Sequence, residues 1–144
     1  MTVAALWNRE NLAWAAGLLE GEGWFRVSHC KKGEGYDYLT LGCSMTDEDT
    51  VRRLAEIAGF GKVYTRTQRK GASGRTGKQQ WDWRSSKAIH VYAFCVAIYP
   101  WMFSRRQAKI RTLLQVFRTL SGSGHARRSK APWLQGLIQA GEQL

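Results

Sequence analysis

Two carboxylates separated by one glycine, Glu20-Gly21-Glu22, close a stretch that reads as a helix, Leu12-Ala13-Trp14-Ala15-Ala16-Gly17-Leu18-Leu19. The C-terminal end of a helix carries the negative end of its dipole, so paired acids there are disfavoured unless a cation offsets them. Binding of a cation is therefore the first chemistry that this spacing suggests. The residues ahead of the acids carry no polar side chain from Leu12 to Leu19, and a helix that is apolar all round must be covered on all sides. Ala13, Gly17 and Gly21 recur every fourth residue and make a smooth strip along which another backbone can approach closely. Each glycine costs a helix about 1 kcal/mol relative to alanine. A close partner along the strip is the expected compensation.

The elements that must position these residues follow from hydrophobic period and capping signals. Asn8 is placed to cap the first helix, with Trp7 as a hydrophobic staple toward Leu12, and the helix is expected to run to about Glu22. From Trp24 the period changes to two. Trp24, Arg26, Ser28, Cys30 and Lys32 alternate with Phe25, Val27 and His29, and after Lys31-Lys32-Gly33-Glu34-Gly35 the residues Tyr38, Thr40, Gly42 and Ser44 alternate with Leu39, Leu41, Cys43 and Met45. This is a hairpin in which His29 is expected in the core. Thr46-Asp47-Glu48-Asp49 gives a cap and an acidic first turn to a helix with Val51, Leu54, Ala55 and Ala58 on one face, ended by Gly59. A second hairpin pairs Lys62, Tyr64, Arg66 and Gln68 on one face with Gln80, Asp82 and Arg84, while Trp81 and Trp83 take the core side. The glycine-rich loop from Arg69 to Lys78 lacks the first glycine and the Ser/Thr of a P-loop, so it is not read as one. Ser85-Ser86 is placed to cap a helix that Pro100 stops near Tyr99, and Ser104 to cap another with Ile110, Leu113, Leu114, Phe117 and Leu120 on its apolar stripe.

The expected fold is α+β: an αββαββα core over residues 1–120 with a four-stranded antiparallel sheet covered by helices on one face. Residues 121–144 are expected as a basic linker and a short C-terminal helix near Pro132 to Ala140, either extending a polyanion grip through Arg127, Arg128 and Lys130 or covering the core. Lys and Arg number 22 against 11 Asp and Glu, giving a net charge of +11 and a pI near 10.1, the footprint of a polyanion-binding protein. Cys30, Cys43 and Cys95 have no zinc-type spacing with the histidines and are expected reduced. No secretory signal opens the chain, and the longest apolar run, Val91 to Phe103, contains Pro100 and is shorter than a membrane span. An intracellular, soluble chain without membrane partners is expected.

A sheet covered on one side exposes the other. Here that face is expected to carry Arg26, Ser28, Lys32, Tyr38, Thr40, Ser44, Lys62, Tyr64, Arg66, Gln68, Gln80, Asp82 and Arg84. Arg suits guanine, Gln suits adenine, an acid accepts from cytosine and hydroxyls adapt to either partner. A merely solvated sheet face is the plain alternative, and only the charge excess together with the motif described next favours base reading over it.

Ala15-Ala16-Gly17-Leu18-Leu19-Glu20-Gly21-Glu22-Gly23 resembles the signature of the LAGLIDADG homing endonucleases, with Glu at both acidic positions where Asp is commoner. The resemblance, of the single-motif type, covers about residues 8–120. It implies a curved, saddle-shaped sheet on the DNA major groove and a signature helix that packs against its twin in a homodimer, with Ala13, Gly17 and Gly21 at the interface. It implies that Glu22 binds a divalent metal, Mg²⁺ foremost with other divalent cations possible, and that Glu20 caps or braces. Asp47 occupies a place where a polar residue positions water, and equally the place of a helix cap. The family's lysine before the last core helix is replaced by Phe103-Ser104-Arg105-Arg106; Arg105 is the nearest cation and Ser104 the strict match. The implied catalytic set is Glu22, Asp47 and Arg105. The implied activity is that of a mobile intron or intein nuclease, hydrolysing phosphodiester bonds in both strands of a long, roughly palindromic target. The alternatives on the same scaffold are a non-cleaving DNA-binding protein and an RNA-binding intron maturase.

Overall fold

The computed structural model describes residues 6–67, 77–121, 136 and 139–144. Helix α1 (Arg9–Glu22) leads into β1 (Gly23–Cys30) and β2 (Tyr36–Met45), then α2 (Glu48–Ala58), β3 (Lys62–Thr67) and β4 (Gln79–Ser85), then α3 (Ala88–Ile98), a 3₁₀ turn (Tyr99–Trp101) and α4 (Ser104–Ser121). The strands form one antiparallel sheet in the order β1-β2-β4-β3. Two hairpins are thus joined through their inner strands, with Cys43 opposite Trp83 at the seam. The expected Gln68 and most of the glycine-rich loop lie outside the described residues. So do the linker and most of the C-terminal helix.

Period-two alternation decides the faces. Phe25, Leu39, Leu41, Cys43 and Trp83 point to one side and are buried, and α1, α3 and α4 pack over β2 there while α2 packs on β2 and β4. Helix α3 is apolar on all sides, with Val91, Phe94, Cys95 and Ile98 fully buried, which places it in the middle of the helical layer. Phe94 is its hub: its ring lies 5.4 Å from Trp7, 5.6 Å from Phe60 and 6.2 Å from Trp83. Trp83 Nε1 donates to Phe60 O at 2.9 Å and Trp7 Nε1 to Ala58 O at 3.1 Å, so both indoles bury their rings without losing a hydrogen bond. Among the described C-terminal residues Gly141 is buried against Tyr92 and Val96, and Arg118 Nη2 donates to its carbonyl at 2.6 Å. That contact covers the core near the α3–α4 pair.

Several local expectations are corrected. Asn8 caps α1 as expected, accepting from Asn11 N at 2.9 Å, and the Trp7 ring lies against Phe60, just past α2, and Phe94 of α3. Ser85 pairs with Leu41 in the ladder, so the residue before α3 is Lys87, whose side chain makes no cap. Ser104 is the first helical residue of α4 rather than its cap, because Gln107 N already bonds Phe103 O. His29 is not a core residue: it lies near the outer end of β1, more than half exposed, with Nδ1 at 2.8 Å from Asp37 Oδ1. Gly33 and Gly35 take left-handed backbone in the turn that follows.

Phe94→Ala would empty the aromatic hub, and such truncations cost about 3–5 kcal/mol. Urea unfolding followed by tryptophan fluorescence should show a loss of that size.

Candidate nucleic-acid interface and acidic site

The four residues Glu20 to Gly23 end a helix and start a strand without a loop. Gly23 takes extended backbone while its N–H still bonds Leu19 O, and a Cβ there would lie 2.7 Å from both Leu19 Cδ2 and Leu19 O. Only glycine fits that close passage. Glu20 points into its own chain: Oε2 accepts from Phe103 N at 3.3 Å, and its backbone carbonyl accepts from Arg106 Nε at 3.1 Å. It therefore braces the N-terminus of α4, satisfying an amide that would otherwise lack a helical partner. Glu22 is exposed, and no hydrogen bond or ion pair engages its carboxylate among the described residues. The Cys43 thiol beneath it is raised to about 11, by burial first and then by the negative charges of Glu22 and Asp82.

Asp47 lies beyond the same end of β2 and caps α2, with Oδ1 at 3.5 Å from Thr50 N and Oδ2 accepting from Thr50 Oγ1 at 2.8 Å. Of the two open readings, the cap is the one with contacts. Arg105 is exposed in the first turn of α4, the helix end that Glu20 holds. Ala13 is half-buried, and Gly17 and Gly21 are exposed with nothing within 4 Å of where a Cβ would stand, so the strip lies open along α1. Among the described residues no group of three or more His, Cys, Asp or Glu is arranged to hold a metal ion.

The polar face of the sheet assembles as expected from the register. Arg26 faces Thr40, Ser28 faces Tyr38, Arg84 faces Lys62, Asp82 faces both Ser44 and Tyr64, and Arg66 faces Gln80. Two expected members differ. Lys32 lies in the turn after β1, outside the ladder, because Gly33 and Gly35 reverse the chain there. Asp82 is on the polar face but buried, accepting from Ser44 Oγ at 2.6 Å, so it is not free to meet a base.

Trp24 was missing from the expected set. It is paired with Gly42, its indole lies over the space that a Cβ on Gly42 would need, and the Arg26 guanidinium lies 5.5 Å from its ring centre. A glycine inside a strand, opposite a tryptophan, was the available signal. Arg84 is held likewise, 4.3 Å from the Tyr64 ring. Such contacts keep cations in place while leaving their donors outward. Among the described residues no helix is long and apolar enough to cross a membrane.

Superposition on solved structures identifies the architecture. The chain matches the homing endonuclease I-CvuI, solved in complex with its target, at a TM-score of 0.63 and 14% identity over 93% of this chain and 94% of that one. The LAGLIDADG meganuclease I-AabMI, bound to uncleaved DNA, matches at a TM-score of 0.63 and 16% identity over 82% of this chain. The fold is that of the homing endonucleases. The LAGLIDADG homing endonuclease I-LtrWI, bound to target DNA, gives 0.62 and 16% over 93% of this chain. The chain spans 39% of I-AabMI and 44% of I-LtrWI, but nearly all of I-CvuI. No protein-family model and no curated protein matches the sequence. On this homing-endonuclease fold, Glu22 closes the first helix and the Arg-rich face is the side of the sheet that the helices leave uncovered.

Replacing Asp47 by Ala should lower stability by about 1 kcal/mol, the usual cost of a lost N-cap, and Asp47→Asn should restore it because Asn caps as well as Asp. Thermal or urea melts of the two variants check this.

Proposed function

We propose that the chain is one subunit of a homodimeric, site-specific, Mg²⁺-dependent endonuclease that cuts both strands of a long, roughly palindromic duplex. The observation that carries this reading is Glu22: an exposed carboxylate with no partner among the described residues, at the end of a helix whose glycine strip is open, on a fold solved repeatedly with DNA. A hard divalent cation suits such an oxygen donor, and its coordination leaves room for ligands beyond one side chain. One carboxylate is too few for a site within a single copy, so Glu22 would hold the ion together with the partner's copy of this residue. When bound, the cation supplies Lewis acidity for phosphodiester hydrolysis. I-CvuI has been crystallised with its own target in calcium and with the I-CreI target, uncleaved, in magnesium, and I-SmaMI with an uncleaved target in calcium, which supports a divalent ion in this setting without bearing on cleavage.

The residues of this chain do the positioning. Gly17 and Gly21 admit the partner helix, which brings two Glu22 carboxylates to the twofold axis. Glu20 braces the N-terminus of α4, and Arg105 in the first turn of that helix would stabilise negative charge without shuttling a proton. Arg26, Lys62 and Arg84 hold the duplex through their charge, and Ser28, Tyr38, Thr40 and Tyr64 supply adaptable hydroxyl contacts. The net charge of +11 on each copy supports a polyanion partner. The near-complete overlap with I-CvuI, against less than half of I-AabMI and I-LtrWI, supports the need for a second copy.

Incubation with a genomic duplex pool in Mg²⁺ and then in EDTA tests the activity. Metal-dependent double-strand breaks are expected; retention of duplex without cuts would make the protein a DNA-binding factor, and preference for structured RNA a maturase. Glu22→Gln should lower the cutting rate by two orders of magnitude or more, on the order of the loss of an essential electrostatic group, while leaving site binding unchanged. A variant that still cuts at the normal rate removes Glu22 from the mechanism. Gly21→Leu should convert the dimer to monomer in sedimentation, because a bulky side chain holds the two helices apart.

A further inference from the structure

Among the described large apolar side chains Phe103 is the most exposed, at 74%, and it stands where the 3₁₀ turn gives way to α4. A single exposed apolar residue is ordinary on a protein surface. This one is held in place. Met102 before it is buried, the Phe103 N–H donates to Glu20 Oε2 at 3.3 Å, and the Phe103 carbonyl accepts from Gln107 N at 2.9 Å. A backbone anchored on both sides presents the ring from a fixed point, which lowers the ordering cost of burying it against a partner.

That point lies on the flank of the α1 strip. At about 100° per residue around a helix, Glu20 lies about 60° to one side of Gly17, whereas Trp14 lies about 60° and Leu18 about 100° to the other. Phe103, tied to Glu20, therefore borders one side of the open strip. Trp14 and Leu18, both half-buried, border the other side, and the Arg53 guanidinium of α2 lies 4.4 Å from the Trp14 ring. One flank projects a ring and the other offers an apolar surface. Glu20 and Leu18 are two residues apart, about 3 Å of helical rise, so ring and surface stand at nearly one level.

Symmetry brings these flanks together. Placing both Glu22 carboxylates at the twofold axis requires the two α1 helices to run side by side in one direction with the axis along them, since an antiparallel pair would send the acids to opposite ends. A half-turn about such an axis sets the Glu20 flank of one copy against the Trp14–Leu18 flank of the other, and the reciprocal contact follows. The described C-terminal residues dock elsewhere: Gly141 is held by Arg118, about 22 Å farther along α4 than Phe103.

We propose that Phe103 is a second anchor of the subunit interface, crossing the seam to pack on the partner subunit's Leu18 beside the partner subunit's Trp14. The contact presupposes the α1 homodimer. A glycine strip allows close approach but specifies no rotation of one helix against the other, and the two reciprocal Phe103 contacts supply that rotation.

Sedimentation of the full chain over a range of concentrations tests the affinity. Phe103→Ser should weaken dimerisation about tenfold or more, the loss expected of an aromatic anchor, whereas Phe103→Leu should retain most of it. Melting temperatures at concentrations where both variants are monomeric should match that of wild type closely, because the side chain is mostly exposed within its own copy. Photo-cross-linking identifies what the side chain touches. With Phe103→benzoylphenylalanine in a mixture of isotopically labelled and unlabelled copies, irradiation should join position 103 of one copy to the peptide carrying Leu18 of the other. A dimer as tight with Ser as with Phe, or cross-links only within one copy, residues 122–138 included, or only to added duplex, would overturn the contact; dissociation by Gly21→Leu would then leave the α1 homodimer standing. If wild type stays monomeric at every concentration, with and without duplex and Mg²⁺, the contact and the homodimer both fall.

Discussion

The junction from Glu20 to Gly23 is the constraint on which the rest depends. Within four residues the chain must end a helix, begin the edge strand of the sheet and present one acid inward and one outward. Gly23 makes this possible, since any side chain there would meet Leu19. With no loop to absorb error, the direction of α1 fixes where β1 starts, and the pairing of Gly23 with Cys43 then fixes the register of the first hairpin. The α4 end is tied to the same point through Glu20 and Arg106, whose guanidinium also lies 5.8 Å from the Phe25 ring. Helix, sheet and last helix therefore meet beside Glu22, whose carboxylate has no partner among the described residues.

The second constraint is the seam between hairpins. A slip of one residue between β2 and β4 would exchange the faces of every side chain in one hairpin. The buried Trp83 opposes that slip: its indole N–H requires Phe60 O, and its ring requires the aromatic cluster around Phe94. On the other face the Ser44–Asp82 hydrogen bond crosses the same seam, and a buried carboxylate left without that partner would be costly. The core and the polar face thus enforce one register from opposite sides. That shared register aligns Arg66 with Gln80 and Trp24 with Gly42.

Much of this was legible in the sequence because the signals are local. Period-two alternation assigns Arg26, Thr40, Lys62, Tyr64, Arg66 and Arg84 to one face, and the asparagine and aspartate caps of α1 and α2 stand where the residue types put them. What alternation could not show is depth. Asp82 and Arg84 have the same pattern position, yet one is buried and the other exposed, because β4 is an inner strand and Ser44 and Tyr64 flank Asp82. His29 fails for the same reason in reverse: its face is the core face, but the strand has by then run to its exposed end. Ser85 and Ser104 look like caps, and both were taken by competing structure, one by the strand ladder and one by the helix itself. The different surroundings of the two acids are not a local property: Glu20 is engaged by the distant Phe103 and Arg106, whereas Glu22 has no partner among the described residues.

One copy of this chain carries three unbalanced features: an open strip on α1, an acid at its end that has no partner among the described residues and an excess of positive charge. In the proposed dimer these are coupled. Bringing two copies together along the strip sets like-charged Glu22 residues near one axis and adds two strongly basic surfaces, both opposing association. Surface repulsion is screened beyond about 8 Å at physiological salt, but the repulsion between two carboxylates at a shared axis is short-ranged and is not. A divalent cation held by the acids and a polyanion along the basic faces would each offset one of these penalties. Linkage then requires that metal, DNA and partner subunit favour one another's binding, because each removes a cost that the others would otherwise meet.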